Sequence, residues 1–322
     1  MIRVSLLRRL QGLISIAVVC ATASSPSTLA RADSWKVTVT AGASELGETP
    51  VVSPIKAKIP AGSYQLRSEG GSDTPAVSAQ VFQEDDVSYL ATVLPSLAAN
   101  ASRTFTLSSV GASEGKDHSR VSLTPDGTNV AIKIDGKPFT EYRTDEGPKP
   151  FLFPLLGPDG TAYTRSYPMK NVDGETKDHP HHRSLWFTFG KVNGIDFWAE
   201  PKGKPYGSIK ETGRKPLIQG PVLGRLHTTD DWLSPSGEKV CEDERVLTIY
   251  HTKAGRVFDF DIKVKATVGP VEFGQTKEGM FGMRVATTMD VTKKLGGKII
   301  TSEGLTDDKA WGKAASWVDY SG

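Results

Sequence analysis

The sequence predicts a mainly β protein, a small N-terminal β-sandwich followed by a larger antiparallel β-sandwich. Three observations carry this expectation. Apolar and polar residues alternate with period two in many short runs, whereas helical periodicity is scarce. The 322 residues include 32 glycines and 20 prolines, which favour turns over long helices. The 12 Phe, 8 Tyr and 6 Trp supply a core and exclude a disordered or collagen-like chain.

The clearest strand spans 257–265. Phe258, Phe260, Ile262 and Val264 share one face there, and Asp259, Asp261, Lys263 and Lys265 share the other, which reads as solvated. Runs at 87–93, 130–134, 184–189, 246–251 and 280–289 read as further strands. Asn193-Gly194 marks a type I′ hairpin turn, and 307–316, with Ala310, Ala314 and Ala315, reads as a short helix. Short strands and polar turns place the small sandwich at 33–113. The stretch 111–119, rich in small and charged residues, reads as a linker into the main sandwich at 120–322. There is no internal repeat.

Residues 1–32 have the layout of a secretory signal peptide: Arg3, Arg8 and Arg9, an apolar run at 13–21, and an Ala30-Arg31-Ala32 cleavage motif. Val19 before Cys20 is too bulky for lipoprotein processing, so the mature terminus is expected at Asp33 in the periplasm or outside the cell. Cleavage removes four arginines and no acid, taking the formal charge from +2 to −2. That balance gives no electrostatic case for nucleic acid. The only long apolar stretch lies in the leader, so no transmembrane segment is expected in the mature chain. Cys241 would be the sole remaining cysteine, which excludes an internal disulfide and reads as a small buried hydrophobe.

The chemistry concentrates in Asp178-His179-Pro180-His181-His182-Arg183, followed by Ser184-Leu185-Trp186-Phe187. Pro180 places the cluster on a loop leading into a strand. In an extended segment His179 and His181 project to one side and His182 to the other. His182, Ser184 and Trp186 then oppose the apolar set Leu185, Phe187 and Phe189, which marks the core face. Imidazoles beside a carboxylate supply a general acid and a general base, and arginine holds an anionic group. Arg284, opposite Met283 and Val285 in alternation, points away from the core and toward such a site. Asp196, Trp198, Trp311, Trp317 and Tyr320 add one acid and several flat rings of the kind sugars stack on. His227 and His251 read as single strand residues without a catalytic role.

At Lys149-Pro150-Phe151 through Pro154, across the DHPHHR-x-LWF block, in NG-x-DFW at 193–198 and at 317–322, the chain resembles a bacterial exported family of unknown function that carries a methane oxygenase label. The likeness runs from about Val121 to the end. It implies a setting of saccharide breakdown, and it carries over only the motif positions His179, His181, His182 and Arg183. The subunit behind the label is an integral membrane protein, so methane chemistry is not implied for a mature chain without a span. Relatives continue beyond 317–322, which leads us to expect that this sequence stops short of the family's full length.

Three function classes follow. The leading one is an exported saccharide-binding protein that performs acid–base chemistry on a carbohydrate, as a lyase, epimerase or hydrolase does. His179, His181 and His182 would be catalytic, and Arg183, Trp186, Asp196, Trp198 and Arg284 would bind substrate. The second is a metal-dependent oxidoreductase or hydrolase, with a divalent metal held by Asp178, His179 and His181. The third is a non-catalytic carbohydrate-binding module in which only the aromatics matter. A large aromatic-rich sandwich also suggests galactose-mutarotase-type architecture, an analogy of fold alone.

Overall fold

The computed structural model describes residues 34–69, 75–110, 119–253 and 255–322, with the backbone of 2–4 and 14–20. The expected cleavage motif Ala30-Arg31-Ala32 and most of the expected linker at 111–119 lie outside the described residues. Two strands, β1 (Ile2–Val4) and β2 (Ile14–Cys20), fall within the segment read as a leader. Strands β3 (Ser34–Ala41), β4 (Thr49–Ile55), β5 (Gly62–Ser68), β6 (Val77–Glu84), β7 (Val87–Leu94) and β8 (Ser102–Ser109) join β2 in a seven-stranded antiparallel sheet. Its order is β2-β3-β8-β5-β6-β7-β4. Alternation turns Val37, Val39, Leu66, Val81, Phe105 and Leu107 into one core. Pro50 and Pro54 lack ladder donors and sit in β4, an edge strand, where that lack is harmless.

The chain continues through β9 (Val121–Asp126), β10 (Asn129–Ile134), β11 (Lys137–Arg143), β12 (Phe151–Leu152), β13 (Leu185–Phe187), β14 (Ser208–Arg214), β15 (Leu223–Leu233), β16 (Lys239–His251), β17 (Arg256–Lys265) and β18 (Phe281–Met283). A six-stranded sheet runs β18-β13-β12-β11-β10-β9, and a five-stranded sheet runs β1-β17-β16-β15-β14. They face each other as a sandwich. Val121, Ile132, Tyr142 and Leu185 of one meet Leu226, Leu247, Ile249 and Phe258 of the other. A two-stranded ribbon, β19 (Lys298–Thr301) and β20 (Val318–Ser321), follows. The mainly β, antiparallel expectation holds. Among the described residues no helix is long and apolar enough to cross a membrane.

Several local expectations fare differently. The Asn193-Gly194 turn forms with both φ values positive, 47° and 80°, between the bridged pair Val192 and Ile195. The strand expected at 280–289 is only β18, followed by 3₁₀ turns at Thr287–Met289 and Val291–Lys293. The strand expected at 184–189 is β13 alone, because Ser184 adopts φ 56°. The helix expected at 307–316 is a single 3₁₀ turn, Asp307–Lys309: Asp307 and Gly312, at φ 47° and 65°, leave too few helical residues to nucleate one. Asp259 and Asp261 are half-buried rather than solvated, and the Tyr250 hydroxyl donates to Asp259 at 2.8 Å.

Charge also enters the sandwich interior. Register sets Asp230 against Asp243 and Thr228 against Arg245 across β15 and β16, and Asp230, Asp243 and Arg245 all turn inward and are buried. Arg245 Nε and Nη2 each donate to Asp243 at 2.8 Å, and Nε lies 3.4 Å from Asp230. Trp232 Nε1 donates to Asp243 at 2.7 Å and Thr228 Oγ1 to Asp230 at 3.0 Å. Cys241 lies in the same interior, where burial and then Asp243 push its thiol up to about 12. It is the inert hydrophobe expected of it.

Burial pushes the Asp230 carboxyl up to about 7, with Arg245 pulling it down and Asp243 adding to the rise. The folded state therefore holds this proton more tightly than the unfolded chain, whose aspartates titrate near about 4. The resulting stability is fully present below that value and lost as pH rises through about 7. Urea denaturation of Asp230→Asn should show a flatter stability profile between about pH 5 and about pH 8 than the unaltered chain. Arg245→Met should cost about 3–5 kcal/mol, because it leaves two buried carboxyls without their cation.

Candidate functional site

Residues 178–184 make a tight turn leading into β13. His182 N–H donates to the His179 carbonyl at 3.0 Å, with Pro180 at the second position, where its fixed φ suits a turn. In β13, Leu185 and Phe187 enter the sandwich core while Trp186 points to the opposite side of the sheet. There it packs with Phe151 and Trp198, flanked by Phe153 and Met169. Trp186 lies against Gly282 of β18, its register partner, where a Cβ would come within 2.4 Å of the indole. Only glycine leaves room for the ring.

This aromatic floor carries the histidines. His182 stacks on Trp186 at 5.0 Å, and His179 stacks on His182 at 4.8 Å, so the three rings form a column. His181 stands edge-on to His182 at 4.5 Å. All three imidazoles thus share one side of the sheet, contrary to the extended-segment expectation that His182 opposes the other two. The turn at Pro180 folds the segment back and cancels the alternation. His182 and Trp186 do share a side, as expected.

Asp178 is the electrostatic hub. It accepts from His179 Nδ1 at 2.7 Å, from Arg284 Nη2 at 3.0 Å, and from Arg165 Nη1. Arg165, fully buried, also donates to the carbonyls of Asp178, His179 and Tyr167. Burial opposes the charged carboxylate, but the His179 and Arg165 hydrogen bonds and the Arg284 charge outweigh it and hold Asp178 down to about 2. An ionised carboxylate only accepts, so His179 Nδ1 must be the donor, and a neutral His179 ring keeps its lone pair on Nε2. Burial, then the charge of Lys149, lowers His181 below the usual imidazole range. Burial, with the charges of the neighbouring histidines and arginines added, drives His182 down to about 3.

A second ion network lies beside the column. Lys149 is 2% exposed and donates to Glu200 and to the Trp198 carbonyl, both at 3.0 Å. Arg183 donates to Glu200 at 2.8 Å and to Glu146 at 3.1 Å, and lies over the Phe151 ring. Gly147, at φ 77°, makes room for that guanidinium, which a Cβ would meet at 2.6 Å. Arg183, expected to bind substrate, is therefore engaged within the protein.

Asp196, likewise expected at the substrate, accepts from the amides of Trp198 and Ala199 and fixes a turn. Trp186 and Trp198, 2% and 6% exposed, form the floor rather than an open platform. Among the rings expected to stack on a sugar, Trp311 and Trp317 are exposed. Arg284 does reach the cluster, by way of Asp178. The divalent-metal set Asp178, His179 and His181 does not form: Asp178 is occupied by Arg165, Arg284 and His179. Among the described residues no three metal-binding side chains converge. Arg165 and Glu200 escaped the sequence reading, and Lys149 entered it only through the family resemblance, since each is an isolated charge whose partner lies 13 to 51 residues away. Beside the hub opens a cleft of about 910 Å³, lined by Asp178, Met283, Arg284, Asp290, Val318 and Tyr320 among others.

Fold and site together define an antiparallel β-sandwich protein bearing an Asp–His pair and a histidine–tryptophan column on the outer face of one sheet. The chain belongs to a family of unknown function, DUF6807, whose model matches residues 129–322. The match supports the expected membership in an uncharacterised family and lends nothing to the methane oxygenase label. No curated protein and no solved structure matches the chain.

The neutral, stacked His182 gives the site a pH signature. Its folded-state pKa lies below that of an unfolded histidine, near about 6.5. The associated stability is present above that value and lost as pH falls toward about 3. His182→Phe keeps a stacked ring without a titratable group, so urea melts between about pH 7 and about pH 4 should show a shallower acid decline. An unchanged slope would mean that His182 takes up its proton freely in the folded state.

Proposed function

We propose that this chain is an exported saccharide-binding protein that performs acid–base chemistry on a carbohydrate, with His179 as the principal proton-transfer group. One observation carries the reading: His179 Nδ1 donates to an ionised Asp178, itself held by two guanidinium groups, which fixes the ring and leaves Nε2 as a base. His181 is the neighbouring second ring, and its lowered pKa keeps it neutral at physiological pH. His182 orients His179 by stacking. The adjoining cleft presents charged, hydroxyl and apolar groups together, as recognition of a polar, ring-shaped ligand requires. The exposed ring of Trp317, next in sequence to the cleft residue Val318, offers a stacking surface.

Calorimetric titration and product analysis against a panel of neutral and acidic saccharides test the proposal. His179→Ala should fold normally and lose about 10²–10⁴ in turnover. Arg284→Ala should weaken binding and also lower turnover, because it frees one side of Asp178. His251→Ala, which removes a 3.0 Å contact with Asp135, should lower the melting temperature and leave turnover unchanged. Full turnover in His179→Ala would eliminate the acid–base role of His179, and saccharide binding without any turnover in the unaltered chain would favour a carbohydrate-binding module. Failure of every saccharide to bind would end the saccharide reading itself.

A further inference from the structure

The seven-stranded sheet packs on the outer side of the five-stranded sheet. Phe82 and Ala91 of β6 and β7 meet Val222, Leu223 and Tyr250 in an apolar cluster. Polar groups cross the same contact. Gln80 Oε1 accepts from the backbone amides of Val222 and Leu223 at 3.2 and 3.1 Å. Glu84 accepts from Arg225 Nη1 at 2.7 Å, and that guanidinium lies over the rings of Phe82 and Tyr89.

His227 of β15 sits inside this contact and is buried. Its Nδ1 lies 2.9 Å from Glu84 Oε1, and its Nε2 lies 2.7 Å from Glu244 Oε1. The first carboxylate belongs to the seven-stranded sheet and the second to the sandwich. Burial opposes the charge on both. For Glu84 the His227 hydrogen bond and Arg225 outweigh it, and for Glu244 the Lys265 and His227 hydrogen bonds do, so both stay below the usual range. Ionised carboxylates only accept, so a ring that satisfies both must donate from both nitrogens, and only imidazolium does that. A neutral ring turns a lone pair toward one of the two carboxylates. The other charges facing the group are Arg225 on β15, Lys265 on β17 at 3.1 Å from Glu244, Lys263 opposite Glu244 in register, and Lys215, which pairs with Asp85 at 2.8 Å.

We infer that His227 is a protonated clasp joining the seven-stranded sheet to the sandwich, and that loss of its proton loosens the contact between them. The two parts are held tightly in acid and more loosely in base. The clasp uses none of the groups at the His179 site.

Nitrogen NMR and amide hydrogen exchange on the full chain test this directly. From about pH 5 to about pH 9 the His227 ring should pass from both nitrogens protonated to one. Over the same titration, exchange at Val222 and Leu223, corrected for its intrinsic pH dependence, should accelerate about tenfold or more. The amides of Leu247 and Ile249 in the sandwich core should stay slow, which shows that the fold persists. His227→Gln carries both donor hydrogens on one nitrogen and turns an acceptor oxygen toward the other carboxylate, so its Val222 and Leu223 amides should exchange fast at every pH. Glu244→Gln can present either a donor or an acceptor to Nε2, so it should keep slow exchange and lose the pH step. A single-tautomer neutral ring at about pH 5, or exchange at Val222 and Leu223 that stays flat across the titration, overturns the inference.

Discussion

Leu185, Trp186 and Phe187 are consecutive and all buried, because β13 lies between the sandwich core on one side and Phe151 and Trp198 on the other. Most antiparallel strands bury one face and wet the other. Here the second face is covered, and what covers it is the base of the histidine column. The strand whose Leu185 and Phe187 close the core therefore sets, through Trp186, the plane on which His182 and then His179 rest. Core packing and site geometry are coupled through one indole ring, and a rearrangement of either is felt in the other.

Two of the ion groups among the described residues differ in kind. The Arg245 group, with Asp230 and Asp243, joins neighbouring strands of one sheet and faces the sandwich interior. The Lys149 and Arg183 group, with Glu200 and Glu146, ties together the loop before β12, the turn before β13 and the loop after β13. Buried ion pairs contribute little net stability when matched against apolar packing, yet losing one partner is costly. Their directional bonds fix which groups face each other. In the first group that is strand register, and in the second it is the approach of three loop segments beside the column.

The fold was legible wherever alternation has a single buried side. The run at 257–265 appears as β17 with the expected apolar face turned to the core, and the strand expected at 130–134 appears as β10. The inward set Cys241, Asp243, Arg245 and Leu247 also alternates, but two of its members are charged, so a reading that assigns charge to solvent passes over it. At the site, the residues adjacent in sequence were legible and most of their supports were not. The motif at 178–186 announces itself by composition. Arg284 was reached through strand alternation, but placement also depends on Arg165, Lys149 and Glu200, whose contacts span loops that carry no periodic signal. The direction of His182 was misread in part because one hydrogen-bonded turn at Pro180 is enough to reverse a chain that alternation treats as straight.

The Asp178–His179 pair rests on two kinds of support. Asp178 is held from one side by Arg165, whose donors are fixed on backbone carbonyls. His179 rises from the other side on a stack of rings that begins where Trp186 lies flat over Gly282. The 2.7 Å bond between them closes a loop of rigid parts, so it registers any mismatch in height between the two mounts. A residue at 282 with even one more carbon would meet the Trp186 ring and displace the stack on which His179 rests. The tolerance of the site is thus set by a backbone position that touches neither member of the pair, and the pair works as a gauge of the sheet's thickness at that point.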